Sequence, residues 1–133
     1  MQAIEFTDPE RLRELLDLLH DRSYDLASLK YDSLRREIVL MTTVIDEQPV
    51  EGRHKVYRAF LRILDCDDCT VADGAEVGVG DFSRIEFRQG SIVITGSLPV
   101  TLTAMVKHFH LLLEIRDEVV RTVSSLRKDY LGS

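Results

Sequence analysis

The sequence predicts one α+β domain over residues 1–133. In this fold class, an amino-terminal helix and a carboxy-terminal helix cover one face of a mostly antiparallel sheet of about five to seven strands. Three observations predict it: a helix-start signal with a leucine stripe near the beginning, alternating polar and apolar residues in the middle, and short turn-rich connections. Short connections favour antiparallel pairing, and a chain of 133 residues suits one hydrophobic core.

The predicted amino-terminal helix follows the sequence TDPE at residues 7–10. This segment offers a capping side chain, a proline where its missing N–H does no harm, and an acidic residue near the positive end of the helix dipole. The following leucines recur with the spacing of one helical face, at Leu12, Leu15, Leu16 and Leu19. We expect this leucine stripe to pack on the sheet.

Alternation with a period of two predicts the first strands. Residues 26–31 and 38–45 show it, and the polar stretch 32–36 between them is typical of a hairpin connection. A loop is expected at residues 46–52 because it contains a proline and a glycine. Residues 55–64 are predicted to form a strand, although their length also allows about three turns of helix.

An acidic loop and a hairpin are predicted next. Residues 65–81 contain six carboxylates, three glycines and no basic residue, which is typical of a solvated loop. Residues 84–87 and 91–95 then flank Arg88-Gln89-Gly90, whose glycine suits the positive φ of a tight turn. These residues therefore predict a short hairpin.

The last third of the chain fits two patterns. Residues 100–107 alternate as a strand would, yet the apolar residues from Leu102 to Val123 also trace a helical stripe that Arg116 interrupts. Both interpretations of residues 100–116 therefore stay open. We expect the first part to extend the sheet. Residues 117–128 are predicted to be helical because acidic residues begin this segment and basic residues end it, the order that the helix dipole prefers.

Composition excludes several classes of function. The formal charge of -6, from 23 acidic and 17 basic side chains, disfavours nucleic-acid binding because the basic residues are not clustered. No apolar run approaches the roughly 18 residues of a membrane-spanning helix. The amino terminus carries acidic residues where a secretion signal has a basic start, so the cytoplasm is the expected compartment.

A zinc site is the strongest candidate for chemistry. Cys66 and Cys69 have the spacing with which two thiolates contact one metal ion. His108 and His110 would complete a tetrahedral set if they lie on a strand, where residues two apart share a face, but not if they lie on a helix. The alternative is that the cysteines are small residues near a strand end, one of them facing the core. No cofactor is expected in that case.

The expected function is a non-enzymatic binding or regulatory domain that acts by protein contact, because the sequence contains no GxSxG nucleophile motif and no cysteine with a histidine nearby in sequence. The acidic residues Asp67, Asp68 and Asp73 are predicted to contact a basic partner, as an immunity-type protein contacts a cationic toxin. A half-covered sheet also predicts a homodimer. A zinc-binding module or a metal-dependent enzyme built on the cysteines and histidines is the alternative.

Overall fold

The computed structural model describes residues 2–124, and this range is an all-β fold with one short α-helix. The prediction of an α+β domain is therefore wrong. Helix α1 spans Leu12–Leu19, and two 3-10 turns span Pro9–Arg11 and Leu26–Ser28. The described strands are β1 (Gln2–Phe6), β2 (Ser23–Asp25), β3 (Lys30–Asp32), β4 (Glu37–Ile45), β5 (Arg53–Ile63), β6 (Cys66–Ala72), β7 (Val79–Asp81), β8 (Arg84–Arg88), β9 (Ser91–Thr95), β10 (Thr101–Val106) and β11 (Leu111–Ser124).

The strands form three antiparallel sheets that share one core. The order is β1-β11-β5-β4-β3 in the five-stranded sheet and β6-β10-β9-β8 in the four-stranded sheet, and β2 pairs with β7. Alternate residues of both larger sheets enter the same hydrophobic cluster, among them Leu40 and Leu61 from the first sheet and Ile92 and Leu102 from the second. Antiparallel pairing, as predicted, therefore organises the fold, but with more strands than expected.

The amino-terminal helix was predicted correctly. Asp8 accepts a hydrogen bond from the backbone of Glu10 and so caps the 3-10 turn that leads into α1. Leu15 and Leu19 are fully buried, and the rest of the leucine stripe packs against the same core. Strands β4 and β5 and the hairpin of β8 and β9 also match the periodicity of the sequence.

The prediction of a carboxy-terminal helix at residues 117–128 is wrong for the part that the structure describes. Residues 117–124 belong to β11, which pairs with β5 along its length, and residues 125–128 lie outside the described range. The end of β11 is rich in β-branched side chains, which favour strands, and its partner supplies backbone hydrogen bonds that a charge pattern cannot reveal. Register shifts between Ile115 and Val119 and between Val119 and Arg121 break the alternation that would have identified the strand.

The prediction of an acidic loop at residues 65–81 is also wrong, because this range contains strands β6 and β7. Two further differences are smaller: β1 was not predicted, and of residues 26–31 only the last part joins a strand, as β3. These strands lie at sheet edges or in the small sheet, where few apolar residues are buried. Their sequences therefore carry a weak periodic signal.

Candidate functional site: an acidic groove beside helix α1

The two predicted zinc-binding cysteines lie on one face of β6. Cys66 is opposite Val106 of β10, and Cys69 is opposite Ala104. These two β10 residues are buried and share a face, so their partners share it too. A shift of register next to Asp68 accommodates the odd spacing of three residues.

Both thiols are poor nucleophiles in this setting. Burial raises the pKa of the Cys66 thiol, which donates a hydrogen bond to the carbonyl oxygen of Asp68 at 3.1 Å. Burial, followed by the neighbouring Cys66 and Asp68, raises the pKa of Cys69 to about 11. Because the thiolate is the reactive form, the pair is protonated and unreactive at neutral pH.

The two predicted histidine ligands lie in the connection between β10 and β11. His108 is exposed, and the Nε2 atom of His110 is 2.9 Å from a carboxylate oxygen of Glu5 on β1. Among residues 2–124, no three or more histidine, cysteine, aspartate or glutamate side chains form a group suited to a metal ion. The zinc site thus stays a prediction, and the geometry does not add to its support.

The three acidic residues predicted to contact a partner each support local structure. Asp67 forms an ion pair with Arg36, and Asp68 accepts a hydrogen bond from the backbone N–H of Cys69 at 2.9 Å. The two oxygens of Asp73 accept from consecutive N–H groups of the following turn, each at 2.8 Å. Asp67 and Asp68 nevertheless remain exposed on β6, where a partner can reach their carboxylates.

Two ionisable side chains, those of Asp81 and Tyr24, are buried in the fold. Asp81 accepts hydrogen bonds from the N–H of Ser97, the hydroxyl of Ser97 and the N–H of Leu98, at 2.8 to 3.0 Å. Burial acts to raise the pKa of Asp81, but these bonds and one from Ser83 outweigh it and lower the pKa below its ordinary value. Burial, with Asp81 and a cysteine nearby, raises the pKa of Tyr24 to about 12.

A groove runs beside the carboxyl end of α1, and we call it the α1 groove. It comprises two neighbouring pockets, of about 520 Å³ and about 380 Å³, which share three lining residues, Leu18, Ile45 and Glu47. The ends of α1 and β4, the loop after β4, and the irregular part of β11 meet here. The other lining residues are Gln2, Asp17, His20, Asp21, Arg22, Val44, Asp46, Tyr57, Ile115, Arg116 and Asp117.

The α1 groove has apolar lining and acidic edges. Its lining includes aliphatic residues from α1, β4 and β11 together with the ring of Tyr57. Five carboxylates and two guanidinium groups also line it, so acidic charge predominates. The negative end of the α1 dipole adds to this potential. The carboxylates belong to Asp17, Asp21, Asp46, Glu47 and Asp117.

Both guanidinium groups of the α1 groove are held by residues outside it. The Nε atom of Arg22 donates to the hydroxyl of Thr43 at 3.1 Å. Arg116 donates to Glu114 at 3.2 Å and stacks over the ring of Phe60 at 5.1 Å from its centroid. These contacts engage both guanidinium groups, and the five carboxylates leave the lining of the groove with a net negative charge.

Sequence patterns did not reveal this groove. Its acidic residues are spread from Asp17 to Asp117, and none belongs to a motif. The end of α1, which follows the predicted leucine stripe, and the register shift after Ile115, which was not predicted, bring them together. The only available signal was the excess of acidic over basic side chains in the whole chain.

The fold and the groove define an all-β domain whose surface carries an apolar-lined groove rich in acidic residues. No protein-family model, curated protein or solved structure matches the chain. Within residues 2–124, no helix has the length and apolar character needed to cross a membrane. The case for a function therefore depends on the side chains described above.

Proposed function

We propose that this protein is a non-enzymatic binding module and that the α1 groove holds a basic segment of a protein partner. The observation that carries the proposal is that two adjoining pockets are lined by both apolar side chains and five carboxylates. A lysine or arginine side chain has the complementary chemistry, an apolar stem that ends in a cation. The ring of Tyr57 adds a surface on which a cation packs favourably.

The ionisable groups with shifted pKa values support binding over catalysis. Burial keeps both thiols protonated, and the hydrogen bonds of Asp81 serve a turn rather than a reacting group. The Tyr24 hydroxyl is buried and has no hydrogen-bond partner among residues 2–124, so none of these residues pairs it with a base. An acid–base or nucleophilic mechanism needs such groups within hydrogen-bond reach of one another.

We also propose the cytoplasm as the place of action, since Cys66 and Cys69 are free thiols, as a reducing compartment keeps them. An immunity-type role, in which the acidic surface masks a cationic toxin, is one form that the binding would take. The homodimer expected from the sequence remains a prediction.

The test is a titration with a short peptide in which lysine alternates with glycine, followed by amide NMR spectra. We expect the largest shifts at Leu18, Ile45 and their neighbours in the α1 groove. The double substitution Asp17→Lys and Asp21→Lys should weaken binding about tenfold or more, equal to about 1.4 kcal/mol. Both residues are exposed, and the positive φ of Asp21, 64°, is matched by the positive φ of both control positions, Glu51 and Glu76.

The matched control is Glu51→Lys with Glu76→Lys, which changes the net charge equally at exposed positions outside the groove. We expect this variant to bind the peptide within twofold of the unmodified protein. Equal weakening by both variants, or shifts spread over the whole surface, would show that only the net charge attracts the peptide and would refute the groove.

A further inference from the structure

Strand β6 is an edge strand with a closed half and an open half. Its beginning is covered, because the N–H of Cys66 donates to the carbonyl of Arg36 at 2.8 Å. The hydroxyl of Tyr31 donates to the carbonyls of Cys66 and Asp67 at 3.1 and 2.9 Å. From Asp68 onward, β6 pairs with β10 on one side and, within residues 2–124, with no strand on the other.

The open half exposes a side chain that its position in the sheet would normally bury. Val71 lies opposite Leu102 and therefore on the same face, which is the core face. Leu102 is 0% exposed, whereas Val71 is 38% exposed. The difference arises because β10 has neighbours on both sides and β6 has one. A strand added beside β6 would cover Val71 and complete the sheet.

The backbone of the open half offers a template for such a strand. The residues of an antiparallel strand alternate in the side to which their N–H and C=O groups point. About half of these groups between Asp68 and Ala72 therefore face the open edge. Proteins commonly protect such edges with charged side chains, proline or a β-bulge. In β6 the bulge and both aspartates lie at its beginning, and residues 69–72 contain no charged residue and no proline.

Charge decides which strand fits. Asp67 and Asp68 lie on β6, and Asp73 follows its end. If a second copy paired here in antiparallel order about Thr70, Asp67 of each copy would face Asp73 of the other, and like charges opposite each other destabilise a sheet. A basic segment would instead meet three carboxylates.

We propose that the open edge of β6 binds an extended basic segment of a protein partner as an added strand. The inference rests on the proposed function only in taking the partner to be basic. The backbone of β6 supplies affinity, Val71 supplies an apolar contact, and the flanking aspartates select the charge. This gives Asp67, Asp68 and Asp73, the residues singled out in the sequence, a role in recognition.

The probe is an eight-residue peptide in which lysine alternates with valine or threonine, so that it readily forms a strand. Bound peptide should slow the hydrogen exchange of edge-facing amides in residues 69–72 at least tenfold. A copy N-methylated at alternate residues keeps the charge but cannot complete the ladder, and should bind at least tenfold more weakly. A copy with glutamate in place of lysine should not bind.

Two variants locate the contact on the protein. Val71→Lys places a cation at the edge and should weaken binding of the lysine peptide about tenfold. Val50→Lys makes the same change at a residue that is 64% exposed in the loop between β4 and β5, and should stay within twofold. Both positions are exposed, so neither change should prevent folding.

Unchanged exchange in residues 69–72 at millimolar peptide, or equal binding of the N-methylated copy, would overturn the inference. If the same titration shifts Leu18 and Ile45 while leaving the β6 edge unchanged, the inference fails and the proposed function stands. If the peptide slows hydrogen exchange at the β6 edge and neither peptide shifts the amide signals of the α1 groove, the proposed function is refuted and the inference about β6 is supported.

Discussion

Asp81 offers a sharp test of the structure because its carboxylate holds the turn at residues 97–98. Asp81→Asn removes the charge and replaces one acceptor oxygen with an amide that faces N–H donors. Three hydrogen bonds of 2.8 to 3.0 Å meet this carboxylate, which is 8% exposed. A hydrogen bond to a charged group contributes about 1.5–3 kcal/mol, and asparagine retains part of this, so we expect a loss of about 2–4 kcal/mol.

The loss should depend on pH with a defined sign. The folded-state pKa of Asp81 lies below the unfolded value of about 3.9, so its contribution is complete above that pH. It is lost as the pH falls through the folded-state pKa, where the carboxylate of the unmodified protein becomes protonated. The difference in unfolding free energy between the two proteins should therefore be constant from about pH 7 to 5 and shrink below about pH 4.

The assay is urea unfolding followed by circular dichroism at several pH values. Asp46→Asn is the matched control, because Asp46 accepts a hydrogen bond from the N–H of Gln48 at an exposed site. We expect this control to cost less than about 1 kcal/mol. A loss below about 0.5 kcal/mol for Asp81→Asn, or a loss that does not change with pH, would refute the role assigned to the carboxylate.

Two further predictions concern the backbone at Gly80 and the thiol of Cys69. A methyl group at Gly80 would lie 2.3 Å from the ring of Tyr24, so Gly80→Ala should cost about 2–4 kcal/mol in urea unfolding, whereas Gly74→Ala, with nothing within 4 Å, should change little. Full stability of the alanine variant at Gly80 would show that the ring has room to move. Iodoacetamide should label Cys69 of the folded protein at pH 7.5 at least about a hundredfold more slowly than a free thiol, because its pKa is near 11 instead of about 8.5. Labelling at the free-thiol rate, read by mass spectrometry, would contradict this environment.

Local signals in the sequence predicted local structure well. The capping sequence around Asp8 and the leucine spacing identify α1 without reference to the rest of the chain. The turn at Gly90 has the positive φ that its glycine suggested, and it joins β8 to β9. Each of these features depends on residues within a few positions of one another, which a sequence shows directly.

Features that depend on distant pairing were missed. The end of β11 is a strand because β5 pairs with it, and Val123 finds its partner His54 far away in the chain. The register shift in β6 hides the shared face of Cys66 and Cys69, so the alternation that marks a strand is lost there. The five carboxylates of the α1 groove come from four separate places in the sequence, which no motif joins.

The place of β1 in the five-stranded sheet sets an order on folding. Residues Gln2–Phe6 pair with residues 111–115 and with no earlier strand of the described chain, so roughly a hundred residues separate the two partners. At a synthesis rate of about 5–20 residues per second, β1 is made on the order of 5–20 s before β11, its only partner strand within residues 2–124. Closing so long a loop is costly in entropy, so completion of this sheet comes late, and until then β11 keeps an open edge.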